Sequence, residues 1–252
     1  TNAAICAICA SSAMLVAAIQ CKANKRDPLG SQTRLLGLCE DAAQRGAALI
    51  VCPEMALSGY LFANAADARR VAEPATGPSF QLLAALSARH RCTIVCGYPE
   101  VVPSDTGDRL YNSAWLIGPD GTLLYNYRKR LLFDADETWA QPGDTAYPQL
   151  RLPWGSLTAG ICMDLNDDRF TQFLAREEAS VVAFCTNWLD EGLDLHGYWR
   201  YRLLGVRSIF VAANTYGDER CAGHAPTRFA GQSVILDARC RPLAIAPSKG
   251  DA

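Results

Sequence analysis

Short runs of Val, Ile, Leu and Ala alternate along this chain with segments whose apolar residues return every three or four positions, and this alternation narrows the possible folds most. Runs at 14–19, 48–52, 93–98, 157–161, 181–185 and 209–213 are apolar at nearly every position, as strands covered on both faces are. Further strands are expected at 113–117, 122–127, 231–236 and 242–245. Between them, residues 31–45 set Leu35, Leu38 and Ala42 on one helical face behind Ser31 as a cap, and residues 79–89 set Leu82, Leu83 and Leu86 on another. Residues 164–178 begin acidic and include Arg176 near their end, which suits a third helix, and residues 198–206 suit a fourth. The pattern is that of an α/β protein. At Gly118-Pro119-Asp120-Gly121, two apolar runs flank a turn, so antiparallel pairing is expected and a purely parallel sheet is not.

A chain of 252 residues, half of them apolar, suffices for one well-buried domain and rules out general disorder. The formal charge of -2 offers no field to draw in a polyanion, so no nucleic-acid partner is expected. No apolar stretch approaches the roughly eighteen residues that cross a bilayer, so no membrane partner is expected. Residues 1–13 read as an extension or cloning remnant, and 14–252 as one domain. The eleven cysteines are odd in number and mostly sit inside apolar runs, which suits free thiols in a reducing, cytoplasmic setting. Cys6 with Cys9 and Cys92 with Cys96 lack a matching second pair, which disfavours zinc.

Three strand ends carry chemistry. A wholly apolar strand runs through Pro53 into Glu54, which puts a carboxylate where open α/β sheets place ligands. Arg128, Lys129 and Arg130 stand between an aromatic-rich strand and an apolar run, and Cys162 ends a strand that passes at once into an acidic stretch. Taken singly, these read rather as a loop glutamate, a solvated basic face and a core thiol. Together they make sense: a thiol with a pKa near about 8.5 needs a base or a neighbouring cation, and an ammonium can hold the oxyanion formed when sulfur attacks a carbonyl.

The three segments resemble the Glu, Lys and Cys signatures of the nitrilase superfamily, the carbon-nitrogen hydrolases. Pro53, Glu54, Gly59 and Tyr60 match the first, and Tyr127, Arg128, Lys129, Leu132 and Phe133 with Pro142-Gly143 match the second. Gly160, Cys162 and Asp164 match the third, with one residue fewer between Gly and Cys. Thr186-Asn187-Trp188, Val211-Ala212-Ala213-Asn214 and Phe229, Gly231, Ser233 and Ile235 continue the likeness. The resemblance implies an α-β-β-α sandwich with mixed sheets that pairs into four layers, a homodimer or larger homo-oligomer, and no metal or organic cofactor. It implies Glu54, Lys129 and Cys162 as a catalytic triad, Glu137 as a second carboxylate, and the Met163 backbone N–H at the oxyanion.

The expected reaction is hydrolysis of a small-molecule amide through a Cys thioester. An N-carbamoyl amine, a nitrile, or a non-catalytic binding role are the alternatives. Tyr60, Asn187, Trp188 and Trp139 are the expected substrate contacts, with Phe62 among the pocket aromatics. Arg169, Arg200 or Arg202 are candidates for a substrate carboxylate, and His90, His196 and His224 for a rival Cys-His pair. Leu131 stands where many members carry His, the stretch 201–206 lacks their Glu-Asn pair, and the chain stops at Ala252, which favours a dimer over filaments.

Overall fold

The computed structural model describes residues 5–9, 14–105 and 107–252. Two six-stranded mixed sheets lie face to face. The first contains β1 (Ile5–Cys9), β2 (Met14–Ala18), β3 (Ala47–Val51), β4 (Thr93–Val102), β5 (Arg109–Ile117) and β6 (Leu123–Arg128), in that order. The second is built from β7 (Leu150–Leu152), β8 (Gly155–Ile161), β9 (Val181–Thr186), β10 (Ile209–Asn214), β13 (Val234–Leu236) and β14 (Pro242–Ile245), ordered β14-β13-β10-β9-β8-β7. Strands β2, β3 and β4 are parallel, as are β8, β9 and β10; the outer pairings are antiparallel. A separate ribbon joins β11 (Tyr216–Glu219) to β12 (Thr227–Ala230).

The apolar runs are continuous because each strand is covered on both faces. In β9, Val181, Ala183 and Cys185 enter the layer between the sheets, whereas Val182 and Phe184 pack outward. In β3, Leu49 and Val51 point inward and Ile50 outward. The outward faces are covered by α1 (Pro28–Gln44) and α3 (Pro78–His90) on the first sheet, and by α5 (Asp168–Glu177) and α6 (Leu195–Arg202) on the second. At about 1.5–3 kcal/mol for each large side chain removed from water, the inter-sheet layer and the two helix-covered faces together stabilise the sandwich. Two short helices, α2 (Ala65–Arg69) and α4 (Asp134–Glu137), sit in the loops.

Several boundaries differ from the sequence reading. Helix α1 starts at Pro28, with Asp27 as its cap accepting from Gly30 N at 2.9 Å; Ser31 lies within the helix, buried, its hydroxyl bonded to Asp27 O. On α3 the covered face is Phe80, Leu83 and Leu86, while Leu82 is exposed. The expected third helix divides into a 3-10 turn (Cys162–Asn166) and α5, because Asp167 caps a fresh start by accepting from Arg169 N. Asp194 likewise starts α6 at Leu195 rather than Tyr198. Residues 231–233 lie outside any strand, with positive φ at Gly231 and Gln232, so only Val234–Leu236 of that run is a strand. Residues 5–9, expected to belong to an extension, pair along β2 as an edge strand; residues 1–4 and 10–13 of that expectation lie outside the described residues.

The turn between β5 and β6 forms as the sequence suggests, closed by Gly118 N to Thr122 O at 2.8 Å. Gly121 is required there: its φ is +82°, and a Cβ would stand 2.7 Å from the backbone oxygen of Ala84 in α3. Among the described residues the cysteines carry no disulfide, and no helix is long and apolar enough to cross a membrane.

Candidate active site

Parallel strands deliver their chemistry at their carboxyl ends. Strand β3 runs into Pro53 and Glu54, β8 into Cys162, and β9 into Asn187, while the end of β6 presents Lys129 from the first sheet. Strand β4 approaches the Glu54 turn so closely that a Cβ on Gly97 would lie 2.6 Å from the Glu54 Cα, so the carboxylate is set by backbone packing.

Glu54 and Lys129 meet. The ammonium Nζ donates to Glu54 Oε1 at 2.8 Å and to Asp136 Oδ2 at 2.6 Å, and all three side chains are buried. Asn112, in the middle of β5, donates its amide to both Glu54 Oε1 and Asp136 Oδ1, at 2.7 and 3.0 Å. Phe133 N completes Asp136, and Asn187 N, arriving from the second sheet, donates to Glu54 Oε2 at 2.9 Å. An ammonium has three N–H groups, and two are engaged here, which leaves one uncommitted.

The second carboxylate on Lys129 is therefore Asp136, not Glu137. In the single turn of α4, Asp136 folds back toward the Phe133 N–H, and this directs Glu137 into solvent. Sequence reading also missed Asn112, whose signal was a polar residue, with Ser113 next to it, within a largely apolar strand. Glu219 in β11 was missed as well: its carboxylate accepts from Tyr60 N and Leu61 N and pairs with Lys25, which holds the loop after Glu54 in place.

Cys162 opens the 3-10 turn with φ at +42°, a strained conformation for a non-glycine residue and one that tightly packed surroundings must impose. The carboxylate of Asp164 supplies much of that constraint. It accepts from Ile161 N, from the Tyr127 hydroxyl and from the N–H groups of Arg130 and Leu131, at 2.7–3.1 Å. The nucleophile turn is thus tied to the segment that carries Lys129.

The charges act on one another. Burial pushes the Cys162 thiol up to about 12, with Glu54 adding to the rise and Lys129, Thr186 and the Asn187 backbone opposing it. Glu54 is raised by burial, partly offset by Lys129 and reinforced by Asp136. Burial alone would lower Lys129, but Asp136 and Glu54 outweigh it and the ammonium is held raised. The site therefore places a protonated thiol within electrostatic reach of the buried Glu54 carboxyl and the Lys129 ammonium. Such a set can transfer a proton from sulfur to carboxylate as a bond to carbon forms.

A cavity of about 150 Å³ opens over the sulfur, lined by Tyr60, Asn187 and Trp188 from the expected contacts, and by Met163 next to the nucleophile. Phe133, Asn166, Leu189 and Glu191 also border it. Trp139 does not: it is buried edge-on against Phe62 in a separate cluster, centroids 5.1 Å apart. The candidate arginines lie elsewhere. Arg169 pairs with Asp167, Arg202 with Asp168 and the Leu165 carbonyl, and Arg200 does not line the cavity. No histidine reaches the sulfur: His196 bonds Gln232 O, His224 bonds Phe62 O, and His90 bonds Glu40. Among the described residues, no group of His, Cys, Asp and Glu is arranged to hold a metal ion.

Comparison with known proteins agrees with this architecture. The carbon-nitrogen hydrolase family model matches residues 15–251. A protein N-terminal amidase of Schizosaccharomyces pombe is 30% identical over 233 residues, 75% of this chain and 78% of that protein. An omega-amidase of Danio rerio is 31% identical over 168 residues, 64% of this chain and 57% of that protein. An amidase of the nitrilase superfamily from Nesterenkonia AN1 shares the fold, with a TM-score of 0.76 and 20% identity over 92% of this chain and 86% of that one.

Proposed function

Since the chain belongs to the carbon-nitrogen hydrolase family, we propose that it hydrolyses a carboxamide through a thioester on Cys162, with Glu54 as base and Lys129 as oxyanion partner. The observation that carries this reading is the buried Lys129 ammonium, bonded to Glu54 at 2.8 Å beside the Cys162 thiol. In the first half-reaction Glu54 takes the thiol proton as sulfur attacks the amide carbon. The uncommitted N–H of Lys129 and the Met163 N–H hold the developing oxyanion, and Glu54 then returns the proton to departing ammonia. In the second, Glu54 draws a proton from water attacking the thioester, the acid leaves, and the thiol is restored. Asp136 and Asn112 keep Lys129 and Glu54 in position, so they are positioning residues.

Of the relatives' named activities, that of a protein N-terminal amidase suits this cavity better than that of an omega-amidase acting on a carboxylate-bearing substrate. A carboxylate-bearing substrate calls for a cation besides Lys129, which this reading commits to the oxyanion, and the residues that line the cavity include Glu191 with no lysine or arginine. The family reading also carries a homodimer, formed through the outer helical layer.

The test is ammonia release across primary amides, N-carbamoyl amines and nitriles, with mass spectrometry of the quenched enzyme. Amide turnover with an acyl adduct on Cys162 is expected; ammonia-free incubations across the whole panel would leave a binding protein as the answer.

The same arrangement sets a pH profile. Glu54 must be ionised to act, and its pKa is raised by burial, so kcat/KM should climb with pH through a limb above the ordinary glutamate value of about 4.3. With the thiol near 12, no further rise from thiolate formation is expected between about pH 7 and 10. A limb at or below the ordinary value would contradict the role of Glu54.

A further inference from the structure

A second cavity, of about 610 Å³, lies across the loop that follows Glu54 and exceeds the 150 Å³ of the catalytic chamber. It has the size of a small-molecule site. Tyr98 and Trp115 of the first sheet, stacked with centroids 3.5 Å apart, form one aromatic wall, and Leu57, Phe62 and Val71 add apolar surface. The amide chemistry above makes no use of this space.

Its polar groups are unevenly spent. Two carboxylates line it and both are occupied: Glu73 accepts from the Ser79 N–H and hydroxyl at 2.8 and 2.6 Å, and Asp67 accepts from Ala63 N at 3.1 Å. The two cations that line it keep donors in hand. Arg70, with 79% of its side chain exposed, approaches Asp67 at 4.0 Å, beyond hydrogen-bond length. Lys25 meets Glu219 Oε1 at 2.9 Å but off the line of a hydrogen bond, so its buried Nζ has N–H groups to give. Surplus donors beside an aromatic wall match an acceptor group carried on an apolar body.

The separating loop faces both spaces. Leu57, Ser58 and Phe62 border the outer cavity, whereas Tyr60 borders the chamber over Cys162. Glu219 pins the loop by accepting from Tyr60 N and Leu61 N, and the Lys25 ammonium that pairs with Glu219 lies 4.6 Å over the Phe62 ring. Gly59, with φ at +74°, lets these groups close up: a Cβ there would stand 2.9 Å from Lys25 Cε and 3.0 Å from Glu219 Oε1. We propose that the outer cavity binds an organic monocarboxylate with an aromatic or branched apolar body, and that Lys25 relays its binding to the catalytic chamber. The carboxylate answers Lys25 and Arg70, and the body lies against Tyr98, Trp115 and Val71. Drawing the ammonium toward the ligand moves the Glu219 carboxylate paired with it, so Tyr60 loses its anchor and amide turnover slows. The regulatory half rests on the amide-hydrolase reading; the binding half does not.

The experiment uses the full chain with 3-phenylpropionate, its cationic match 3-phenylpropylamine and its neutral match 3-phenylpropanol, each titrated by calorimetry and added to propionamide assays. The carboxylate should bind at one site per chain, about tenfold more tightly than either match. It should lower kcat about fivefold to a residual plateau that excess propionamide does not lift. In Arg70→Glu, affinity should fall about tenfold with basal turnover unchanged. Val71→Trp, which fills the cavity, should abolish binding and inhibition while propionamide is still hydrolysed, and Lys25→Met should show no inhibition at any occupancy. Binding that survives Val71→Trp, inhibition that propionamide overcomes, or equal affinity for the three probes overturns the site. Preference for the amine overturns it too, in favour of a cation held by Asp67 and Glu73, and inhibition retained in Lys25→Met overturns the relay. Calorimetry needs no turnover, so a chain that binds the carboxylate yet releases no ammonia sinks the amide-hydrolase reading and the regulation with it, and leaves the binding site standing.

Discussion

Replacing Cys162 with alanine should lower ammonia release by about 10⁴-fold or more, to the level left by binding alone, while the protein stays folded. The two halves of this expectation have different physical origins. The sulfur is the atom that forms the thioester, so nothing in the chamber can take its place; Glu54, freed of its partner, has only water to activate. Stability is a separate matter, because alanine keeps the Cβ and accepts the same turn, whose φ of +42° is imposed by the Asp164 hydrogen bonds rather than by the thiol. Loss of one buried sulfur should cost about 1 kcal/mol. Urea unfolding alongside ammonia release checks both, and a variant that is folded and still turning over would refute the assignment of the nucleophile.

A change of Lys129 to methionine is expected to cost activity and stability together. The ammonium is fully buried and bonded to two buried carboxylates, and removing the cation from such a cluster costs about 3–5 kcal/mol because the remaining charges stay desolvated. The sign of the pH dependence follows. Glu54 is already raised, and without the cation its folded-state pKa rises further, so between its unfolded and folded values the folded protein holds the extra proton. Stability of Lys129→Met should then fall as pH rises through that window and recover on acidification. Urea midpoints at pH 5 and pH 8, each against wild type, make the measurement; equal losses at the two values would mean that the carboxylates do not depend on Lys129 for their charge.

What the sequence disclosed and what it withheld divide along a physical line. Glu54 and Cys162 were legible because each ends an apolar run, and Lys129 because it ends an aromatic-rich strand; the likeness of the three segments to the family's signatures joined them. The choice between Asp136 and Glu137 was not, because both lie within Asp134-Ala135-Asp136-Glu137, and only the hydrogen bond from Phe133 N to Asp136 decides which one faces inward. Trp139 looked like a pocket residue because it follows the lysine segment closely, yet packing against Phe62 turns it away. The ribbon β11–β12 escaped notice since Tyr216-Gly217-Asp218-Glu219 is polar enough to read as loop; its place is set by pairing with Thr227–Ala230. Asp27 replaced Ser31 as a cap because Pro28 already fits the first turn of a helix.

The fourfold clasp on Asp164 has a consequence for how this molecule fails. One carboxylate takes donors from both halves of the sandwich, so the geometry of the sulfur and the registry of the two layers are a single mechanical fact. Warming cannot blunt one while sparing the other: inactivation by heat and separation of the layers should arrive as the same event.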